Sequence, residues 1–423
     1  MSISRRELLK LAAGSATVLS LSSLSFGQGT TPLRIGIVGT HGKGESNRKA
    51  AAQFGTIAAI CDVDHTRLAQ AAADHPEAER FVDFRAMITD RSLNLDAVVV
   101  STPDHTHAAA AALALARGLH VYCEKPLTRS IGEARRLAQL ARANRCVTQM
   151  GNQGAAADNF RLAVNFVRDG GLGEIREVHC WTDRAKGWWP QGGPASPPKR
   201  HPESLEWRLW LGPAPYRPFA DGYHPFAWRG RRDFGTGALG DMGCHLMNLL
   251  WHSVDLRSPR TITAETGTFD VDSFPTDAQV QFDYADFGLT WYESGRRPTP
   301  PAGLEIGGNG GLIVGSRDTL YFDDAYGAAP RLLSGNPIPD ISFTKSPGHM
   351  KEWFDGMLGG DRPYSDIVHA GAPLTELLLL GNLAILTGKP THMNGQIGRA
   401  DLRGYEDLVN PARTPGWEIQ APA

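Results

Sequence analysis

A chain of 423 residues is long enough for two domains or more. Its 43 Lys and Arg against 45 Asp and Glu leave a net charge of −2, which removes any electrostatic case for nucleic acid or an anionic membrane as partner. The 41% hydrophobic and 21% charged residues are ordinary for a globular protein, and five cysteines without Cys-x-x-Cys or metal-ligand spacing read as buried free thiols.

The chain opens with Ser4-Arg5-Arg6-Glu7-Leu8-Leu9-Lys10 and a mildly apolar run from Leu11 to Leu24. That run is too short and too rich in Ser, Gly and Ala to stay in a bilayer. The paired arginines look like a twin-arginine export signal over residues 1–27, with Ser25-Phe26-Gly27 offering small residues for cleavage. A basic, frayed helix is the other reading. The export route carries folded proteins, which predicts a periplasmic or otherwise exported location and suits unpaired thiols. No later stretch is long enough to span a membrane.

Leu33-Arg34-Ile35-Gly36-Ile37-Val38 reads as a buried strand, followed by Gly39-Thr40-His41-Gly42-Lys43-Gly44 and a helix pattern through Ala52. Strand, glycine turn and helix form the context of a dinucleotide fingerprint, in which backbone N–H groups and the helix dipole face a pyrophosphate. Gly39 and Gly44 hold the first and third glycine positions. His41 occupies the second, and Gly42 beside it takes over the close approach. The strand Ile57–Cys61 ends at Asp62, placed to accept hydrogen bonds from ribose hydroxyls and to repel a 2′-phosphate, so NAD is favoured over NADP. A plain turn aspartate is the competing reading.

Asp96–Val100 is the clearest strand and runs into Ser101-Thr102-Pro103-Asp104-His105-Thr106-His107. A helix pattern from Ala108 to Arg117 leads to the strand Leu119–Tyr122, then Glu124-Lys125-Pro126. A helix over Ile131–Asn144 and a strand over Cys146–Met150 end at Gly151-Asn152-Gln153-Gly154. The alternation predicts a parallel sheet with right-handed crossovers, whose ligand edge carries these polar strand ends.

In this order and spacing, the glycine turn, Asp62, Thr102 to His107 and Glu124-Lys125-Pro126 resemble the Gfo/Idh/MocA oxidoreductases. The resemblance covers the chain after the signal. It implies an α/β protein: an N-terminal NAD(P)-binding Rossmann domain (31–153) and a C-terminal α/β domain with an open, mostly antiparallel sheet (154–423). It also implies cofactor contacts from Gly39, Gly42, Gly44, Asp62, Thr102, His107, Glu124 and Lys125, and a homo-oligomer formed through the C-terminal sheet.

Beyond Gly154, Asn159–Arg168 reads as a helix and Ile175–Trp181 as an alternating strand. From Asp183 to Asp233 periodicity is lost, yet six Trp lie between Trp181 and Trp228, which argues against disorder. Half or more of them are expected to pack the loop. Trp181, Arg184, Trp188, Tyr223 and His224 are candidates for sugar contacts, with Asn152 and Gln153. Gly235 to Trp251 reads as one apolar helix whose polar residues Asp241, His245 and Asn248 share a face. An N-cap aspartate with a core histidine explains that stripe as well. The resemblance favours function, because the family pairs an Asp and a His on such a helix with the Glu-Lys-Pro lysine. One His and one Asp make half a metal site, so no metal is expected. Thr261–Thr268, Ala278–Asp283, Gly288–Glu293, Gly311–Val314 and Thr319–Phe322 read as antiparallel strands, and His349–Leu358 and Pro373–Leu386 as helices, the second packing across domains.

These readings converge on an NAD(P)-dependent oxidoreductase acting on a CH–OH group of a sugar, glycoside or polyol, with tightly held cofactor. His245 is the expected acid/base, with His107 as second choice. Asp241 orients it, and Lys125, its pKa lowered by burial, stabilises negative charge or shares the proton. Outside the cytoplasm no nicotinamide pool exists, so a redox-neutral hydrolase, lyase or epimerase is the alternative. A non-catalytic sugar-binding protein is the alternative of another class.

Overall fold

In the computed structural model, which describes residues 32–301 and 303–419, the apolar run Arg34–Val38 becomes strand β1. The export signal expected over residues 1–27 lies outside the described residues. The chain continues through α1 (Lys43–Ala51), β2 (Thr56–Cys61), α2 (His65–Asp74), β3 (Glu79–Phe81), α3 (Phe84–Thr89), β4 (Ala97–Val100), α4 (Asp104–Ala116), β5 (His120–Cys123), α5 (Ile131–Ala143) and β6 (Thr148–Met150). The six strands form a parallel sheet in the order β3-β2-β1-β4-β5-β6. Strand order reverses between β1 and β4, which opens a crevice at their carboxyl ends. Short elements β3, α2 and α3 were not marked by periodicity. Local caps delimit the two helices: Asp64 accepts from the Thr66 N–H at 3.0 Å and Asp83 from the Arg85 N–H at 2.9 Å.

The second half contains α6 (Asp158–Arg168), β7 (Ile175–Thr182), α7 (Trp207–Leu211), α8 (Gly237–Leu246), α9 (Asn248–Ser253), β8 (Thr261–Thr266), β9 (Ala278–Asp283), β10 (Gly288–Glu293), β11 (Asn309–Gly315), β12 (Thr319–Phe322), β13 (Arg331–Leu332), α10 (His349–Met357), α11 (Ala372–Thr387) and β14 (Thr391–His392). Eight strands pair in the order β13-β12-β11-β7-β10-β9-β8-β14, antiparallel except for the parallel β7–β10 pair. Alternation explains the two faces. Val178 and Cys180 of β7 and Val280 and Phe282 of β9 join the core under α8 and α11, while the residues between them face the other way.

Two features differ from the sequence reading. The helix expected over Gly235–Trp251 is two helices that meet at Met247, so Asn248 begins α9 and leaves the stripe of Asp241 and His245. Furthermore, α10 returns to the first sheet. Its Trp353 and Phe354 pack with Ile35, Ile37, Val99 and Tyr122, so a cut at 153/154 separates the first sheet from part of its own covering layer.

Helix α11 does cross between the halves. Glu376 accepts from Arg135 of α5 at 2.6 and 3.0 Å, and Thr375 accepts from the Leu127 N–H at 3.2 Å. Contrary to the expectation that no later stretch is long enough, the segment Ile367–Thr387 is long and apolar enough to cross a membrane, yet 83% of its most apolar window is buried inside the protein, as suits a core helix. Helix α8 lies close against α11. A Cβ on Gly243 would sit 2.6 Å from Leu378, and one on Gly381 2.6 Å from Leu239, so the two glycines permit the contact that fixes α8 in depth.

Candidate active site

A cleft of about 640 Å³ runs from the glycine turn, past the carboxyl ends of β2, β4 and β5, to α8. Gly39 adopts φ +84°, and a Cβ there would lie 2.6 Å from the Ser101 carbonyl oxygen. A Cβ on Gly44 would lie 2.2 Å from the Gly39 carbonyl oxygen. These two glycines let the turn fold onto β4 and onto itself. Gly42, at φ +60°, caps α1 with nothing within 4 Å of where its Cβ would be, so the turn's backbone stays open beside His41.

Asp62 follows β2 and lines the cleft. Its Oδ2 accepts from the Thr40 N–H at 2.9 Å and the Thr40 hydroxyl at 3.0 Å, and its Oδ1 accepts from the Asp64 N–H at 3.0 Å. The carboxylate therefore shapes the turn as well as facing the cleft. Glu124 accepts from Asn47 Nδ2 at 2.9 Å and from the Lys125 N–H at 3.2 Å, with Lys43 Nζ 3.9 Å away. A Cβ on Gly151 would reach within 2.5 Å of this carboxylate, so the glycine after β6 makes room for it.

At the other end, Lys125 donates to Asp241 Oδ1 at 3.0 Å and to the Asp241 carbonyl at 3.1 Å. The peptide between Lys125 and Pro126 is cis. Arg229 Nε donates to the same Oδ1 at 3.3 Å. Burial pushes the Asp241 carboxyl up, but Lys125 and Arg229 more than offset it and hold the group well below its ordinary range. Burial pulls Lys125 down, and Asp241 more than restores it, so its pKa is raised. This corrects the expectation of a lowered value: the carboxylate outweighs desolvation. His245, one turn beyond Asp241, lines the cleft with its ring edge-on to Tyr326 at 4.7 Å. Burial and then the Lys125 charge hold its pKa well below the ordinary value, so at pH 7 it is a neutral imidazole.

The cleft brings together Gly39, Gly42, Asp62, Thr102, Glu124, Lys125, Gln153, Arg184, Trp188, His224, Asp241 and His245. Other candidates lie elsewhere. Trp181 is fully buried on the far face of the second sheet, stacked on Tyr321 and donating to the Gly307 carbonyl at 2.9 Å. Tyr223 packs flat against Trp207 and edge-on to Phe234 in the loop core. Aromatic residues stack on sugars, which made both candidates for the site, but both pack the protein interior instead. Asn152 is buried and off the cleft lining. Gly44 stands behind the turn. His107 has one ring nitrogen 2.9 Å from the Pro126 carbonyl and the other 2.7 Å from the Thr102 carbonyl. It ties two cleft loops together from behind the cleft lining.

Several lining residues escaped the sequence reading. Arg229 and Phe226 come from the loop without periodicity, and Tyr326 from a turn. Arg67 follows Asp62 by five residues, on the first turn and a half of α2, a spacing that was a usable signal. Asp104 sat inside a motif already singled out. It accepts from the Thr236 hydroxyl at 2.8 Å, and burial, with Asp241 nearby, raises its pKa to about 7. Among the described residues no group of three His, Cys, Asp or Glu is placed to hold a metal ion.

The turn offers open backbone at a helix N-terminus, with Lys43 beside it and a carboxylate at the next strand end. A pyrophosphate and a diol ribose fit that donor and acceptor set. These features define an NAD-binding Rossmann fold. Residues 33–152 match a family model described as an oxidoreductase family, NAD-binding Rossmann fold, and residues 180–310 match that family's C-terminal alpha/beta domain. The chain belongs to the Gfo/Idh/MocA oxidoreductase family.

Among similar proteins, an inositol 2-dehydrogenase of Leifsonia xyli is 34% identical over 158 residues, 36% of this chain and 46% of that one. A glycosyl hydrolase family 109 protein of Solibacter usitatus is 35% identical over 196 residues, 41% of this chain and 44% of that one. The chain thus spans less than half the length of these curated relatives. The crystal structure of GenD2 from gentamicin A biosynthesis in complex with NAD aligns with a TM-score of 0.60 at 21% identity, over 86% of this chain and 97% of that one, a likeness of fold.

Proposed function

We propose that the protein oxidises a CH–OH group of a sugar, glycoside or polyol with a tightly held NAD. The observation that carries this reading is the Lys125–Asp241 pair beside a neutral His245 at the inner end of the cleft. The glycine turn, Asp62, Thr102 and Glu124 would hold the cofactor, which supplies hydride acceptance when bound.

Lys125 has three N–H donors and spends two on Asp241, leaving one for the reacting oxygen. As a cation it stabilises negative charge building on that oxygen. His245, uncharged, accepts the hydroxyl proton. Asp241 orients Lys125 and Arg229 through one oxygen, Oδ1. Trp188, Phe226 and Tyr326 present aromatic surface along the substrate end.

A second reading is supported by the likeness to the Solibacter protein named a glycosyl hydrolase. Here the same residues serve a redox-neutral cleavage in which the cofactor ends as it began. An export signal at Arg5-Arg6 fits that cycle, since an exported protein must keep its NAD. We read the location as periplasmic and the assembly as a homo-oligomer through the open sheet.

One experiment addresses these points. Protein recovered from the periplasmic fraction is heated, and the supernatant is assayed for NAD. Intact protein is then offered a panel of glycosides and polyols with and without an external electron acceptor. Oxidised sugar that accumulates only with acceptor identifies the dehydrogenase, and free sugar without acceptor the redox-neutral enzyme. Lys125→Met should lower either rate by about 100-fold or more. Undiminished turnover in that variant would sink the assignment, and NAD-free protein would remove the case for a held cofactor.

A further inference from the structure

The substrate end of the cleft holds more positive charge than its own carboxylates neutralise. Lys125 and Arg229 share the single carboxylate of Asp241. Arg184 has no such partner. Among the described residues its guanidinium makes no ion pair and no hydrogen bond to the protein, and the neighbouring carboxylate of Asp183 is taken by Arg297. Instead the Arg184 guanidinium carbon sits over the Trp188 ring, 3.3 Å from its centroid. Trp188 is 56% exposed, its ring 5.9 Å from Phe226, which in turn carries Arg229 at 4.4 Å. The other titrating groups here compensate only in part: His245 is uncharged, Asp104, raised to about 7 by burial and by Asp241, is only partly ionised at neutral pH, and Glu124 lies toward Lys43 at the cofactor end.

An unpaired guanidinium stacked on an aromatic face keeps its N–H edge free. That edge matches two oxygens of a carboxylate or phosphate, and the stacking holds the fork in place at low entropic cost. A neutral sugar needs hydroxyl acceptors and aromatic faces, not a surplus cation. We infer that the substrate is an acidic sugar, whose carboxylate or phosphate is received by Arg184 at the Trp188 platform while its reacting hydroxyl lies between Lys125 and His245. This inference rests on the sugar-oxidising reading above and names the substrate class of that site.

The test is calorimetric titration of the NAD-loaded full-length protein with matched sets of methyl glycosides in several hexose configurations. Each set contains the neutral hexoside, the uronate, the uronate methyl ester and the 6-phosphate. In one configuration the uronate or the phosphate should bind at least about 10-fold tighter than the ester and the neutral hexoside. The tighter of the two anions identifies the group. Arg184→Gln should bring charged and neutral members of that set within about 2-fold, and Arg184→Lys should retain part of the preference. NAD affinity, measured alongside, should be unchanged in both variants, which separates a lost anion contact from a disturbed fold. Equal binding of charged and neutral sugars by the wild type, or a preference that survives Arg184→Gln, overturns this inference alone. Failure of every sugar to bind, charged or neutral, overturns the sugar reading with it.

Discussion

Lys125 stays a cation because Asp241 more than offsets its burial and accepts from it twice, through a side-chain and a backbone oxygen, so under the proposed function it donates a hydrogen bond and is not a base. Asp104, on the same cleft, behaves in the opposite way. Its carboxyl titrates at 3.8 unperturbed and at about 7 when folded, because burial penalises the charge. Glu293, buried with Trp291 Nε1 donating to it at 2.9 Å, is likewise raised from 4.5 to about 7. Between those values the unfolded chain has released protons that the native state keeps, so stability falls as pH rises from about 4 to about 7. Asp104 contributes roughly 4 kcal/mol and Glu293 roughly 3 kcal/mol to that fall. Urea denaturation between pH 4 and 8 should therefore show a shallower slope for Asp104→Asn than for wild type. Parallel curves would mean that Asp104 is ionised at neutral pH.

At the scale of elements, the glycine turn and the α8–α11 contact place the chemistry. Gly44→Ala would drive a Cβ into the Gly39 carbonyl, so the turn must open or α1 must shift. We expect a loss on the order of 3 kcal/mol in stability and about 100-fold weaker NAD binding. Gly42→Ala meets no atom but must hold φ +60° and ψ −116°, a backbone region essentially confined to glycine, at a cost on the order of 2 kcal/mol. Thermal unfolding and NAD fluorescence titration of both variants check the contrast. Equal effects would show that backbone conformation, not crowding, governs this turn. Residue types revealed the turn, whereas the depth of α8 depends on Gly243 and Gly381, ordinary small residues whose partners lie more than a hundred positions away. The break at Met247 was hidden for a related reason. An apolar run that is buried all round has no amphipathic edge to mark where one helix stops.

Over the whole molecule, the first sheet is complete only when the chain has passed through the second and come back. Trp353 and Phe354 of α10 cover one of its faces, and α11 joins its other flank through Glu376 and Thr375. A fragment ending at residue 153 would leave Ile35, Ile37 and Tyr122 facing water. It should aggregate or remain unfolded by circular dichroism and size exclusion, although it spans the whole dinucleotide motif. A soluble, NAD-binding monomer of that length would refute this view of the packing.

The sequence by itself determined the Rossmann half and its cofactor class, because those rest on local signals: an apolar strand, a glycine turn, an acid at a strand end. The pairing of Lys125 with Asp241 was implied only by the family resemblance, since no local signal links positions so far apart. The parallel order followed from the βα alternation. Only the tertiary structure decided which aromatic residues meet the cleft, why Lys125 keeps its charge, and that Arg184 is left without a carboxylate. The physical reason is the same in each case. Burial, pairing and charge balance are sums over neighbours brought together from distant positions, and a loop without periodicity such as Asp183–Asp233 carries no local record of them.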